Sequence, residues 1–201
     1  MTTVAVVDLG CANLASVGFA LDRLGARYVV TRKAAEISSA ERVILPGVGA
    51  AGFAADQIDA LGLRETLAGL SQPLFGICLG MQLLYESSEE GDAQCLGLLA
   101  GRVGKLPVPK REPWPHMGWS RLTLRKPASR LMHGVEDGAY AYFDHGFACP
   151  VTEATAATAR YGIDFAATLE DGRGIYGCQF HPELSSAAGA RMLQNFLESP
   201  C

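Results

Sequence analysis

Residues 73–82 run Pro73-Leu74-Phe75-Gly76-Ile77-Cys78-Leu79-Gly80-Met81-Gln82, an apolar stretch that enters Gly-x-Cys-x-Gly and leaves toward a helix-compatible Leu83-Leu84-Tyr85. Glycines two places either side of a cysteine fit a sharp strand-to-helix turn, where a crowded backbone leaves no room for a Cβ. Such a turn lifts the side chain at its apex onto the end of a sheet, beside the free amides of the next helix. For sulfur that setting matters twice. The helix N-terminus favours thiolate, and the same amides can hold an oxyanion. A lone cysteine on an apolar strand is by default a small buried hydrophobe; the flanking glycines, with the partner residues below, make this one a candidate nucleophile.

Around this turn the first half alternates strand and helix. Val4 to Val7 form a short strand ending at Asp8-Leu9-Gly10. Leu14, Val17, Leu21 and Leu24 then recur at helical spacing, with Gly25 placed to end the helix. Tyr28-Val29-Val30 and Val43-Ile44-Leu45 are further strands, the latter expected to stop at Pro46-Gly47-Val48-Gly49, and Ile58, Leu61, Leu63, Leu67 and Leu70 mark helical material. A helix from Cys78 through Leu83 and Leu84 completes the alternation, which implies a parallel sheet covered on both faces.

The second half differs. Lys105 to Pro115 carries four prolines and excludes regular structure. Beyond it Leu122 to Leu124, Tyr140 to Phe143, Thr155 to Tyr161, Phe165 to Leu169 and Ile175 to Phe180 form strands with little helix between them, as antiparallel hairpins do. Glu170-Asp171-Gly172-Arg173-Gly174 reads as a hairpin turn. Met192, Leu193, Phe196 and Leu197 lie on a final amphipathic helix. The expected class is therefore α/β, a mixed and mainly parallel central sheet with an antiparallel-rich C-terminal half. At 201 residues the chain is expected to be one domain, 1–201.

Composition removes several functions. The net charge is −4, which offers no nucleic-acid surface. No apolar run approaches the roughly 20 residues a bilayer requires, and Met1-Thr2-Thr3-Val4 reads as the start of a strand, not a signal peptide. Cys11, Cys78, Cys95, Cys149, Cys178 and Cys201 are scattered, with no zinc-type spacing and no disulfide pattern. Reduced thiols and a cytoplasmic location follow as the expectation.

Two further segments carry chemistry. In Gln179-Phe180-His181-Pro182-Glu183, an extended backbone would place His181 and Glu183 on one face, the carboxylate holding and polarising an imidazole aimed at a nucleophile on another strand. Alone, His-Pro-Glu is an ordinary surface turn; with Gly-x-Cys-x-Gly it completes a nucleophile, base and orienting acid. Pro46-Gly47-Val48-Gly49 would expose backbone amides suited to phosphate or to an oxyanion, though no Gly-Lys-Ser/Thr follows it.

These segments, with Asp8-Leu9-Gly10 and Asn13-Leu14, resemble the class I (triad) glutamine amidotransferases, a flavodoxin-like α/β family. Pro115-His116-Met117-Gly118-Trp119, Tyr142-Phe143-Asp144-His145 and Leu83 to Gly91 look like its histidine-pathway branch, the glutaminase subunits of imidazole glycerol phosphate synthase. The likeness runs from about Val4 to Leu197. It implies that Cys78 attacks the carboxamide of glutamine, that His181 acts as base and then as acid to departing ammonia, and that Glu183 orients His181. Leu79 and the Gly47-Val48-Gly49 turn would supply oxyanion amides, while Gln82 and the backbone of His145, Gly146 and Phe147 would hold the amino-acid end. No metal or cofactor is implied. A (β/α)₈-barrel cyclase is implied as heterodimer partner and receiver of the ammonia, with Asn13, His116 and Leu184 on the partner face.

The chain departs from that pattern at a few places. Leu184 stands where lysine is usual, Gly146 where a hydroxyl residue commonly follows the histidine, Cys11-Ala12 before Asn13 where glycine is usual, and Ala50-Ala51 where an aromatic is common. The anthranilate, GMP and vitamin B6 glutaminases share the triad but not the Pro115–Trp119 and Tyr142–His145 segments. A γ-glutamyl hydrolase or cysteine peptidase on this scaffold would need no partner, and a scaffold relative would not need Cys78, His181 and Glu183. Cys178 is expected to be a buried strand residue and His133 structural or solvent-facing.

Overall fold

The computed structural model describes residues 3–108 and 112–199. Met1 and Thr2, residues 109–111 of the proline-rich segment, and Pro200 and Cys201 lie outside the described residues. The centre is an eight-stranded sheet in the order Arg27–Thr31, Thr3–Val7, Arg42–Gly47, Leu74–Cys78, Ile175–Cys178, Ile163–Glu170, Thr155–Tyr161, Thr123–Leu124. Its first five strands run parallel and the last three pair antiparallel. Ranked by position in the chain, the parallel five stand 2-1-3-4-5, the doubly wound order of flavodoxin-like folds. In such sheets ligands gather outside the carboxyl ends of the strands, and there Cys78 and Gly47 sit.

The apolar runs read as parallel strands because both of their faces are covered. Val4, Val6, Ile44, Phe75 and Ile77 pack on one side with Val17, Leu21, Met192, Leu193 and Phe196. Ala5, Val7, Val43, Leu45 and Leu74 pack on the other with Ile37, Ile58 and Leu67. The helices Leu14–Arg23 and Ser186–Glu198 cover the first side; Ala34–Ser39, Ala51–Ala60 and Arg64–Ala68 cover the second. Two smaller sheets flank the carboxyl edge: Tyr140–His145 paired antiparallel with His116–Arg121, and a four-stranded sheet built from Phe147–Ala148, Leu99–Lys105, Tyr85–Ser88 and Ala93–Gln94. Among the described residues no helix is long and apolar enough to cross a membrane.

Three expectations need correction. Pro46 and Gly47 do not stop their strand; they extend it and pair with Ile77 and Cys78. Pro46 is tolerated because the neighbour on its other side pairs only as far as Ile44, so its missing donor leaves no gap in that ladder. The helix after Cys78 has four residues, Leu79–Gln82, and the chain bends through buried Leu83 and Leu84 into the strand Tyr85–Ser88. A pair of leucines marks burial without distinguishing a helix from a turn. His181 is extended, but Pro182–Leu184 is a 3₁₀ turn that proline opens.

Candidate active site

Cys78 occupies the apex of the turn at φ 53°, ψ −110°, a sparsely populated conformation that costs about 1–3 kcal/mol and persists only where its surroundings impose it. Two close approaches impose it. A Cβ on Gly80 would lie 1.7 Å from the carbonyl oxygen of Leu45, and one on Gly76 would lie 2.6 Å from the amide of Met81. The turn is thus wedged between its own strand and the next, and the thiol is 4% exposed.

His181 follows the neighbouring strand Ile175–Cys178, whose register sets Cys178 beside Ile77. Its amide donates to the carbonyl of Tyr142 at 2.9 Å. Ser185, fully buried, donates its hydroxyl to the His181 carbonyl at 2.6 Å and accepts from the Tyr142 amide at 2.9 Å. The ring's Nδ1 meets Glu183 Oε1 at 2.9 Å. The structure therefore brings Cys78, His181 and Glu183 together, through a 3₁₀ turn in place of strand alternation. Burial disfavours charge on His181, yet the Cys78 and Glu183 side chains against it outweigh that cost and push its pKa up to about 10. It holds a proton at neutral pH.

Gln179 had no expected role, yet its Nε2 donates to Cys78 Sγ at 3.8 Å, and its Oε1 accepts from Gln82 Nε2 at 3.1 Å. Gln82 also donates to the Phe147 carbonyl at 2.9 Å. With its donors so used, Gln82 can offer a ligand an acceptor, Oε1, suited to an ammonium group. Only the motif position of Gln179, two places before His181, could have pointed to it.

A cleft of about 410 Å³ opens over the thiol, lined by Val48, Gly49, Ala50, Cys78, Leu79, Gln82, Glu90, Trp114, Pro115 and residues 144–147. That size suits a small metabolite. Leu79 begins its helix, so its amide has no carbonyl to meet within it. The expected oxyanion turn needs correction. Gly47 does not line the cleft; it ends its strand beside Cys78, packed against the Leu79 side chain. The Val48 amide donates to the Cys11 carbonyl at 2.7 Å and is not available to a ligand in this arrangement. Gly49 does line the cleft, at a φ of +90° that few other residues adopt. Glu90, another residue without an expected role, secures the turn from below by accepting from the Ala51 amide at 2.8 Å.

His145 and His116 form a second pair. His145 Nδ1 meets the Phe147 carbonyl at 2.8 Å, His145 Nε2 meets His116 Nδ1 at 3.0 Å, and His116 Nε2 meets Ser120 Oγ at 2.9 Å. A carbonyl only accepts, so His145 donates from Nδ1, His116 donates from Nδ1, and the serine donates to His116 Nε2. Burial pushes His116 down to about 4 and His145 down to about 3, so both are neutral. His116 is 2% exposed, stacked between Tyr161 and Phe143. It was expected at the partner face; it belongs to the core behind the cleft, and alternation along its strand turns Met117 and Trp119 outward instead. Asn13 is exposed and caps the helix Leu14–Arg23 by accepting from the Ser16 amide, and Leu184 is exposed beside the triad. Cys178 is a buried strand residue, and His133 is exposed.

A strand-end thiol backed by an imidazole–carboxylate couple on a doubly wound sheet is equipped for acyl transfer from an amide to sulfur. Residues 5–199 match the family model for class-I glutamine amidotransferases, and the chain belongs to that family. It is 51% identical to the "Imidazole glycerol phosphate synthase subunit HisH" of Xanthomonas axonopodis pv. citri (strain 306), over 98% of each chain. The protein of that name from Xylella fastidiosa (strain Temecula1 / ATCC 700964) is also 51% identical, again over 98% of both. In fold the chain resembles a putative GMP synthase subunit from Thermoplasma acidophilum, with a TM-score of 0.75 and 19% identity over 98% of this chain and 92% of that one. A solved glutamine amidotransferase gives a TM-score of 0.72 at 23% identity, covering 97% of both chains.

Proposed function

We propose that this chain, acting as one catalytic domain, is the glutaminase subunit of an imidazole glycerol phosphate synthase, hydrolysing glutamine to glutamate and ammonia. The observation that carries the mechanism is the meeting of the strained, buried Cys78 with the His181–Glu183 couple. With its proton already on the His181 imidazolium, the Cys78 sulfur attacks the carboxamide carbon through Sγ. Leu79 and the turn at 48–49 receive the oxyanion, and the His181 proton passes to nitrogen as ammonia leaves. Water, deprotonated by His181, then cleaves the thioester and releases glutamate. The acceptor oxygen of Gln82 and the carboxylate of Glu90 suit the ammonium end of the substrate.

Activation requires the Val48 amide to leave the Cys11 carbonyl and turn toward the cleft, a peptide rotation for which Gly47 and Gly49 supply freedom on either side. The ammonia acceptor in this scheme is a (β/α)₈ cyclase bound to the face that exposes Met117, Trp119, Tyr140 and Leu184. A relative's name that includes "subunit" supports the existence of a partner chain. The test is Cys78→Ala in the complex. Glutamine-dependent synthesis is expected to vanish while synthesis from added ammonia persists; equal loss of both would refute the division of labour.

A further inference from the structure

We propose that Trp114 is a substrate-contacting wall of the cleft, seated in the volume that a side chain at position 146 would need. Trp114 lines the same cleft as Cys78, Gln82 and Glu90. A Cβ built on Gly146 would lie 2.6 Å from Cζ2 of the indole and 3.0 Å from Cε2. Gly146 is not in the left-handed region, so its backbone would accept alanine or serine, and the three atoms nearest to such a Cβ all belong to the indole. The absent side chain and the large ring are one arrangement: glycine at 146 admits the ring, and the ring takes over the surface that residue 146 would otherwise present.

The indole is held in place. Its Nε1 donates to the Gly146 carbonyl at 3.1 Å, and the Phe147 ring meets it edge-on at 6.4 Å. The Lys105 ammonium lies 4.7 Å from the ring centre. The preceding residue is tied as well, since Tyr161 donates its hydroxyl to the Pro113 carbonyl at 2.7 Å. Trp114 nevertheless remains 47% exposed, as a residue at the mouth of a cleft should be. An anchored aromatic surface at that place suits the aliphatic part of an amino acid whose ammonium end is met by Gln82 and Glu90.

This inference rests on the cleft being a glutamine site, and the experiment separates the two. Glutamine is titrated calorimetrically into the Cys78→Ser chain, alone and in its complex, with Trp114→Ala, Gly146→Ala and the double substitution added. Trp114→Ala is expected to weaken binding about tenfold. Gly146→Ala is expected to do the same by expelling the ring, and the double variant is expected to be no worse than Trp114→Ala alone. Because the chain has two tryptophans, Trp119→Phe in the Cys78→Ser chain alone leaves Trp114 as the single tryptophan to be excited selectively. Its fluorescence is expected to shift with glutamine, a readout that does not depend on the position-114 variants folding. Unchanged affinity in Trp114→Ala, additive losses, or a silent Trp114 would overturn the wall while glutamine binding stands. No glutamine binding by the Cys78→Ser chain or its complex would overturn the glutamine site and the wall with it.

Discussion

Two groups of side chains built on buried imidazoles border the same cleft, one charged and one neutral. His181, beside Cys78 and Glu183, has its pKa pushed up to about 10; His145 and His116, among Phe143, Phe165 and Tyr161, are pushed down to about 3 and about 4. Burial opposes charge on all three. What separates them is the company each keeps: an acid and a thiol in one case, aromatic rings and a carbonyl in the other. The charged group is equipped to move protons. The neutral pair is equipped to stay still, locking the Phe147 carbonyl and the backbone at 145–147 that borders the ligand.

Experiments can break this contrast or sharpen it. The largest effect is expected from His181→Ala, which should cut glutamine hydrolysis about 10⁴-fold or more, since nucleophile and base act as a unit. Retention of more than a tenth of the rate would make His181 another inert buried histidine. Glu183→Gln comes next: the ring keeps a partner but loses the charge that holds its proton. Turnover should fall about 10²- to 10⁴-fold, and the His181 titration seen by NMR should move down from about 10. An unmoved titration would assign the raised pKa to Cys78 alone.

A smaller effect separates the neutral pair. Folding favours their uncharged forms, so their contribution to stability is full above the ordinary pKa of 6.5 and is lost as pH falls toward 4 and 3. His181 has the opposite sign: its contribution is full below 6.5 and is lost as pH rises through about 10. The urea midpoint should therefore drop between pH 7 and pH 4.5, and drop less in His116→Phe, which removes one of the protons taken up on unfolding. An equal drop in both chains would show that His116 is not kept neutral by the fold. The smallest effect is expected from Leu184→Lys, an exposed position, which should leave cyclase affinity unchanged or strengthen it. Marked weakening would show that the exposed leucine has become part of an apolar interface.

The two groups also differ in how far the sequence reveals them. Gly-x-Cys-x-Gly identifies its turn because backbone crowding admits one residue type at two fixed positions, and the 1.7 Å approach at Gly80 is the physical content of that motif. The strand–helix alternation likewise foretells the parallel order, since a strand buried on both faces has to be apolar throughout. His116 carries no such mark. Its place in the core follows from pairing with the strand Tyr140–His145, across a separation of 29 residues from His145, and from rings contributed by a third strand. The Val48–Cys11 hydrogen bond and the fit of Trp114 over Gly146 are equally non-local. Local pattern shows which residues can react; tertiary packing decides which are poised to do so.

One measurement bears on the chemistry directly. The chain in its complex is mixed with glutamine, quenched in acid within a turnover, and digested for mass spectrometry. A γ-glutamyl thioester should be found on the peptide that carries Cys78 and should disappear with hydroxylamine. Steady release of glutamate with no acyl group ever found on Cys78 would mean that this sulfur is not the nucleophile.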